Sequence, residues 1–536
     1  MSSTLKAPPS PVRRFALVMQ VGGAVFFVFG IFPILRRGNT DSWPMCVMAA
    51  LGIALGSWLL RIGEAGQFLG AAYDRITRGR LDEAEAILDT ASTRNGQVLR
   101  AIANYRAKIA LYRDDAKGAI QHASRAIGGP YAWLGRTEET SMELNARSIR
   151  AVAAAMCSEH AMVREDAQAV RMGPLASTEM LSRVTLAEVI LLFRDGAYDE
   201  AAVLIDEKRK LLLDFATPRE RAIVRAMQRA IAQREESPAA NPLSSANPGK
   251  FEAIPGEARA AAERTVAKSF AQRWLRPLAF LVGIMGVYVG GQSAKPFRSF
   301  DLQLALLLLV IAIIVLGRMY RDRQSRQLTH ATRAWVDGDL ASSEASLRTM
   351  VKSPLALFAA QARLHLAQQA ARCGQFEQAI DECDHGLSRS TDSATGRQIL
   401  VPSLLGERAT ALAALGRHDE ATATLQSIEK VNAAFHLMGS FQLGVRLLQA
   451  VRRGHLPLAR ELAMQRTHDL PLPITVETLA DALVTTDDAN PQSEEAARIL
   501  HDLAIDRDLR RWLDRVWPDA ESKLRAASLM KREGSP

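Results

Sequence analysis

Four long apolar runs stand out along the chain, and they come in two pairs. Residues 15–35 carry no charge, and after a short polar turn residues 45–60 form a second uncharged run. The same arrangement returns at 277–294 and 302–317. A helix rises about 1.5 Å per residue, so the first run would be about 31 Å long, which matches the hydrocarbon core of a bilayer. The pattern therefore predicts two transmembrane helical hairpins.

The distribution of Lys and Arg around these runs predicts their orientation. Fourteen Lys and Arg residues lie near the outer ends of the two hairpins, whereas the connecting turns hold four. Because positive charge favours the cytoplasmic side, the sequence predicts a multi-pass protein of the inner (plasma) membrane, with its termini and helical domains in the cytoplasm. Two alternatives remain open: a cleavable signal peptide at 15–35, and burial of the shorter runs in a globular core.

The second half of the chain repeats the first. The stretch RGRLDEAEAIL around Gly79 aligns with DGDLASSEASL around Gly338. Two further alignments have nearly the same offset of about 259 residues, and they pair Asp114 with Gly374 and Gly196 with Gly454. A constant offset over this length indicates a tandem duplication.

The duplication and the composition together predict the domain boundaries. A segment rich in Pro, Ser, Asn and Gly separates the two copies and is typical of a flexible linker. The predicted domains are a first hairpin at 1–62, a first helical domain at 63–235, a linker and lead-in helix at 236–266, a second hairpin at 267–318 and a second helical domain at 319–533.

A shorter motif recurs inside each helical domain: Gly, any residue, an apolar residue, two residues that are often acidic, then Ala. Clear examples begin at Gly79, Gly196, Gly374 and Gly416, and weaker ones at Asp114, Gly338 and Gly454. Gly ends one helix in a left-handed conformation, acidic residues favour the start of the next, and Ala permits close packing of the pair. Spacings of 35, 36, 42 and 38 residues fit one helix pair per repeat.

With this motif and this period, the sequence resembles the tetratricopeptide repeat (TPR) family. The resemblance implies antiparallel helix pairs stacked into a superhelix whose inner wall, lined by the first helix of each pair, recognises other proteins. It also requires a turn near Ser158 to complete the first domain. The predicted fold is all-α, with two transmembrane hairpins that are each followed by a TPR-like α-solenoid, and the helices at 493–529 are expected to cap the second one.

The net charge of +9 first suggests a nucleic-acid partner. The basic residues are concentrated around the apolar runs, however, and the helical domains are slightly acidic. We therefore predict no nucleic-acid partner.

Motifs that carry chemistry are missing from the sequence. There is no phosphate-binding loop, dinucleotide-binding glycine motif, HExxH or GxSxG. Cys373, Cys383 and His385 come nearest to a set of metal ligands, but their spacing favours buried thiols. We predict no catalytic residue, no cofactor and no metal, and hence no enzyme.

One helix face is the candidate partner-binding site. If Asp114 occupies the turn of the second repeat, Asn104, Lys108 and Tyr112 lie on the inner wall, where they could hydrogen-bond a partner's backbone or carboxylate. A merely solvated helix face is the alternative.

The predicted function is a membrane-anchored scaffold or adaptor that binds protein partners of a membrane complex through two cytoplasmic TPR-like domains. The alternative is a subunit, catalytic or not, of a membrane enzyme or transport complex, with its site between the hairpins. The apolar runs make the lipid bilayer a further predicted partner. GxxxG spacings within them permit close contact between helices, which is compatible with a homo-oligomer.

Overall fold

The computed structural model describes residues 81–89, 96–127, 136–233, 300–390, 400–431, 438–465, 472–487 and 492–529, and the single positions 69, 72, 73 and 76. Within these ranges all regular secondary structure is helical and there is no strand, so the all-α prediction is confirmed. The helices are α1 (Leu81–Asp89), α2 (Gly96–Tyr112), α3 (Ala116–Ala126), α4 (Arg136–Met156), α5 (His160–Met172), α6 (Thr178–Arg194), α7 (Tyr198–Glu207), α8 (Arg209–Asp214), α9 (Pro218–Gln233), α10 (Phe300–Val336), α11 (Leu340–Val351), α12 (Ala356–Arg372), α13 (Phe376–Ser390), α14 (Val401–Ala414), α15 (His418–Val431), α16 (Met438–Arg452), α17 (Leu456–Met464), α18 (Ile474–Thr485), α19 (Ser493–Ile505), α20 (Arg507–Val516) and α21 (Ala520–Leu529).

The predicted turns join these helices in pairs. Backbone φ angles are positive at Asp114 (64°), Ser158 (60°), Gly196 (75°), Gly338 (84°), Gly374 (73°), Gly416 (82°) and Gly454 (73°). A left-handed residue ends one helix and lets the chain reverse into the next. The turns predicted at these positions are confirmed, and the one at Gly79 lies outside the described residues.

The last position of the turn motif packs as its chemistry predicts. The motif alanines are all fully buried (0% exposed), and they are Ala84, Ala119, Ala201, Ala379, Ala421 and Ala459. A small side chain at this point lets the two helices of a pair approach closely, as expected from the sequence.

The two copies correspond helix by helix. Turns at Asp114, Ser158 and Gly196 in the first copy match those at Gly374, Gly416 and Gly454 in the second, so α2–α7 match α12–α17. In the second copy three further helices, α19–α21, are described after α18, and the residues that follow α9 in the first copy lie outside the described ranges. Helix α20 packs against α12, α16 and α18, with Leu509, Trp512 and Leu513 buried. One end of the inner wall of the second copy is therefore filled by the protein's own C-terminal region.

The prediction of transmembrane hairpins is wrong for the described residues. Among the described helices, none is both long enough and apolar enough to cross a membrane. The runs at 15–35, 45–60 and 277–294 lie outside the described residues. The run at 302–317 is not a separate span, because it belongs to the 37-residue helix α10, whose second half is charged and packs on the repeats.

The same finding overturns the predicted inner-membrane location and the orientation derived from it. Those predictions treated each uncharged run as an independent helix ending at the next Arg. Apolar length alone does not show where a helix ends, and α10 continues past Arg318 to Val336.

Helix α10 connects the two copies. The Trp335 ring meets Phe215 edge to face at 5.3 Å between centroids, and Lys210 Nζ donates to the Trp335 carbonyl at 2.8 Å. Arg333 Nη2 donates to the carbonyl of Gly173 at 2.7 Å. These contacts hold the start of the second copy against the first.

A second junction is made by ion pairs between α9 and α18. Arg221 Nη2 lies 2.9 Å from Glu477 Oε2, and Arg225 Nη1 lies 2.7 Å from Glu477 Oε1 and 3.1 Å from Asp481 Oδ2. All four side chains are largely buried. The basic helix of one copy is thus matched to the acidic helix of the other.

Candidate functional site

The three residues predicted to bind a partner lie on one face of α2. Asn104 and Tyr112 are buried (4% and 5% exposed), and the side chain of Lys108 is 11% exposed. This face packs toward α6 and α9, and it opens to solvent beside Tyr73 (39% exposed) and the Glu179 side chain (43% exposed). We call this face, together with Tyr73, Glu179, Arg183, Arg219 and Glu220, the first wall.

Lys108 lies between two aromatic rings and one carboxylate. Its Nζ is 5.8 Å from the centroid of Tyr73, 5.7 Å from that of Tyr112 and 3.8 Å from Glu179 Oε1. Burial by itself would lower the pKa of Lys108, but Tyr112, Glu179 and Tyr73 together outweigh it and the pKa lies above its ordinary value. Lys108 therefore stays cationic at neutral pH.

Arg183 on α6 is the centre of the wall's polar network. It is fully buried, and its Nε donates to Glu220 Oε1 at 2.7 Å while its Nη1 donates to Asn145 Oδ1 at 2.8 Å. It also pairs with Glu179, one turn earlier on the same helix. Burial opposes ionisation of Glu179, but Arg183 and Lys108 hold its pKa below the usual range.

The start of α9 supplies the other side of this network. Thr217 and Glu220 form a capping box, in which the Thr217 amide donates to Glu220 Oε2 at 2.8 Å and the Glu220 amide donates to Thr217 Oγ1 at 3.3 Å. The cap fixes Glu220 where it meets Arg183. It also fixes Arg219, whose guanidinium carbon lies 4.5 Å from the centroid of the Tyr112 ring.

Asn104 is the one member of the predicted set that carries unfilled hydrogen-bonding capacity. Its Oδ1 is buried, and no described residue donates a hydrogen bond to it. An unsatisfied buried amide oxygen is costly, so it marks a point where a ligand group or a water would be stabilising.

The second copy has a corresponding wall, which sequence reasoning missed. Gln361, His365, Gln368 and Arg372 follow one another at helical spacing along α12, and Glu407 on α14 meets them where Gln368 Nε2 donates to Glu407 Oε1 at 3.3 Å. We call these five residues the second wall. The signal in the sequence was the duplication itself, since an offset of 260 places Lys108 on Gln368 and Tyr112 on Arg372.

Burial perturbs both titratable groups at the centre of the second wall. It lowers the pKa of His365 to about 4, although Gln368 acts in the opposite direction. It raises the pKa of Glu407, against a smaller effect of the hydrogen bond from Gln368. The imidazole is therefore neutral at pH 7.

The cysteine and histidine cluster singled out in the sequence is dispersed. Burial raises the pKa of the Cys383 thiol strongly and that of Cys373 less, so neither is an activated nucleophile. His385 is exposed, and its Nδ1 lies 2.7 Å from the Asp381 carbonyl. Within the described ranges, no group of three or more His, Cys, Asp or Glu side chains is placed to hold a metal ion.

No protein-family model, curated protein or solved structure matches this chain. The likeness to TPR proteins therefore rests on the turn motif, the repeat period and the paired helices alone.

Proposed function

We propose that this protein is a helical-repeat scaffold that recognises protein partners through the two walls. Support comes from three features together: helix pairs in tandem, a set of polar side chains on the first helices of each copy, and the charged, aromatic and hydrogen-bonding groups that these sets contain. A solenoid of this kind presents side chains from several helices along one surface, which suits an extended or helical segment of another protein.

The observation that carries the proposal is the arrangement around Lys108. A cation held between Tyr73 and Tyr112, one turn from an unsatisfied Asn104 amide, offers a charge, two aromatic surfaces and a hydrogen-bond acceptor at one place. Such a combination can accept a backbone N–H at Asn104 and an acidic group at Lys108.

The proposal is tested by capture experiments with the full chain. Lys108→Ala removes the cation of the first wall, and Lys117→Ala removes an exposed lysine of α3 in the same repeat. We expect the unmodified chain and Lys117→Ala to capture the same proteins from native extracts, and Lys108→Ala to lose at least one of them. Reconstitution of that pair from purified components gives the dissociation constant.

Circular dichroism and thermal unfolding show whether Lys108→Ala remains folded. If all three chains capture the same proteins with equal yield, or if no captured protein binds after purification, the first wall is not a recognition surface.

A further inference from the structure

The second wall contains a carboxylate that lacks a cation. Glu407 Oε1 accepts a hydrogen bond from Gln368 at 3.3 Å, and no Lys or Arg of the described ranges forms an ion pair with either carboxylate oxygen. Buried acids elsewhere in the described ranges do have such partners, as Glu220 has Arg183 and Asp166 has Arg150. The Glu407 carboxylate can thus accept further hydrogen bonds and form an ion pair.

The residues beside Glu407 are also short of partners. The buried Oε1 of Gln361 and the buried Nδ1 of His365 have no hydrogen-bond partner among the described residues. Gln368 connects Glu407 with His365, because it donates a hydrogen bond to Glu407 and its hydrogen bond to His365 raises the pKa of the imidazole. Four polar side chains therefore share one helical stripe and its facing helix.

The wall's own cation does not neutralise Glu407. Arg372 lies one turn beyond Gln368 on α12, but its guanidinium is 3.1 Å from Asp214 and 2.5 Å from Asp506. Asp214 ends α8 and Asp506 lies between α19 and α20, and together they hold Arg372 at the C-terminal end of the stripe. Glu407 and its neighbours keep a surplus of acceptors.

Comparison of the two copies shows that a carboxylate without a cation is a feature of the second wall. Aligned on the turns that follow each helix, the first copy has Lys108 in place of Gln368 and Ile149 in place of Glu407. The first copy therefore has a cation at the position of Gln368, and it has no acid at the position of Glu407. Gln361, His365, Gln368 and Glu407 are each half-buried as whole residues, whereas the Gln361 Oε1 and His365 Nδ1 atoms are themselves buried.

We propose that the second wall binds a primary ammonium group of a partner, with the Glu407 carboxylate as the main acceptor and His365, one turn from Gln368, as a supporting polar group. An ammonium group carries one positive charge and three donors, so it can pair with a carboxylate that has no other cation and still donate to a neighbouring acceptor. The inference rests on the proposed recognition function and gives it a second, chemically opposite site. A lysine side chain, a free protein N-terminus and a polyamine share this chemistry.

Isothermal titration of the full chain with defined probes tests the site. The probes are an acetylated and amidated pentapeptide with one central lysine among alanines, the same peptide with acetyl-lysine, an amidated pentaalanine with a free N-terminus, and spermidine. We expect at least one free-amine probe to bind and the acetyl-lysine peptide not to bind at the same concentration. The probe that binds most tightly identifies the source of the ammonium group.

Two variants assign the binding to Glu407. Glu407→Gln keeps the shape of the side chain and removes its charge, and we expect about tenfold weaker binding of the amine, as for loss of one charge-assisted contact. Gln368→Lys places at the second wall the cation found in the first, and we expect it to abolish amine binding while raising the melting temperature. Glu461→Gln, an exposed acid of α17, is the matched control and is expected to bind as the unmodified chain does.

The proposal is overturned if no amine binds, if the acetyl-lysine peptide binds equally well, or if Glu407→Gln and Gln368→Lys both bind the amine normally. Because Gln368→Lys supplies the missing countercharge and is expected to be stable, loss of fold in Glu407→Gln does not block the test. Failure of the Lys108→Ala capture experiment would remove the scaffold function but leave these titrations interpretable, so the two ideas fail separately.

Discussion

At the scale of single residues, several charged side chains are buried between the helices as ion pairs. Removing one charge of a buried pair leaves the other uncompensated, and this costs far more than losing an exposed pair. The contrast between buried and exposed Arg residues of the first copy makes this measurable.

We expect Arg183→Met to destabilise the first copy by about 3–5 kcal/mol, because Glu220 is then left buried without its cation. The control is Arg171→Met, which breaks the exposed pair of Arg171 with Glu188 and should cost less than about 1 kcal/mol. Denaturant unfolding followed by circular dichroism gives both values. A similar, small effect of both substitutions would show that the buried network contributes little.

The lowered pKa of His365 predicts a stability that depends on pH. The folded pKa of about 4 lies below the ordinary value of 6.5, so the unfolded chain binds a proton before the folded one does as the pH falls. Stability should therefore decrease as the pH is lowered from 6.5 toward 4, by at most about 3 kcal/mol for this group. The raised pKa of Glu407 acts in the opposite sense, since its stabilising contribution is present at low pH and is lost as the pH rises.

His365→Asn should flatten the acid side of the unfolding curve, and His385→Asn, which replaces an exposed histidine of α13, is the control. The measurement is the melting temperature of the three chains at several pH values between 4 and 7. Parallel curves for the unmodified chain and His365→Asn would contradict the expectation.

At the scale of elements, the left-handed turns organise the helix pairs. They were predictable because the requirement is local: a residue that tolerates positive φ, an apolar residue and a small residue at fixed spacing. Even Ser158, which lacks the glycine, was required by the period. The ends of helices without this motif are not predictable in this way: the uncharged run at 302–317 predicts a separate span, whereas α10 continues to Val336.

We expect Gly196→Ala to destabilise the protein by about 1 kcal/mol through the backbone alone. Gly196 has φ of 75°, and a Cβ at this position would meet no described atom within 4 Å, so no steric clash contributes. Gly96→Ala is the matched control, since that glycine is helical and also has open space around it, and it should be neutral or stabilising. Equal effects of the two substitutions on the unfolding midpoint would argue against a conformational cause.

The candidate site was predictable only in part. Helical spacing placed Asn104, Lys108 and Tyr112 on one face, but it could not show that Glu179 and Arg219, from other helices, would meet Lys108 and Tyr112 there. The two members of each contact are far apart in the sequence. Local pattern carries no information about such pairs, whereas the duplication does indicate where an equivalent wall should lie.

At the scale of the whole molecule, the two copies form one connected unit. Helix α10 and the ion pairs between α9 and α18 link them, and Arg209 of the first copy pairs with Asp502 of the second. The two copies should therefore unfold in a single transition.

Glu477→Gln combined with Asp481→Asn should separate that transition into two, because Arg225 then loses both of its acidic partners across the junction. Differential scanning calorimetry of the full chain measures this directly. Glu377→Gln combined with Glu420→Gln, which removes two acidic partners of Arg417 within the second copy, is the control and should leave one transition. A single, merely shifted peak for the junction variant would mean that other contacts suffice to couple the copies.

The junction between α9 and α18 also has a consequence for symmetry. Helix α9 follows the last turn motif of the first copy and α18 follows that of the second, so the two helices occupy equivalent positions. Their contact therefore resembles the interface of a twofold-symmetric dimer whose two subunits are joined in one chain. A twofold contact must be self-complementary, and this one is not, since Arg221 and Arg225 face Glu477 and Asp481. Two first copies would set arginine against arginine and two second copies acid against acid. The two copies are therefore not interchangeable at this contact, because the charges of each copy are complementary only to those of the other.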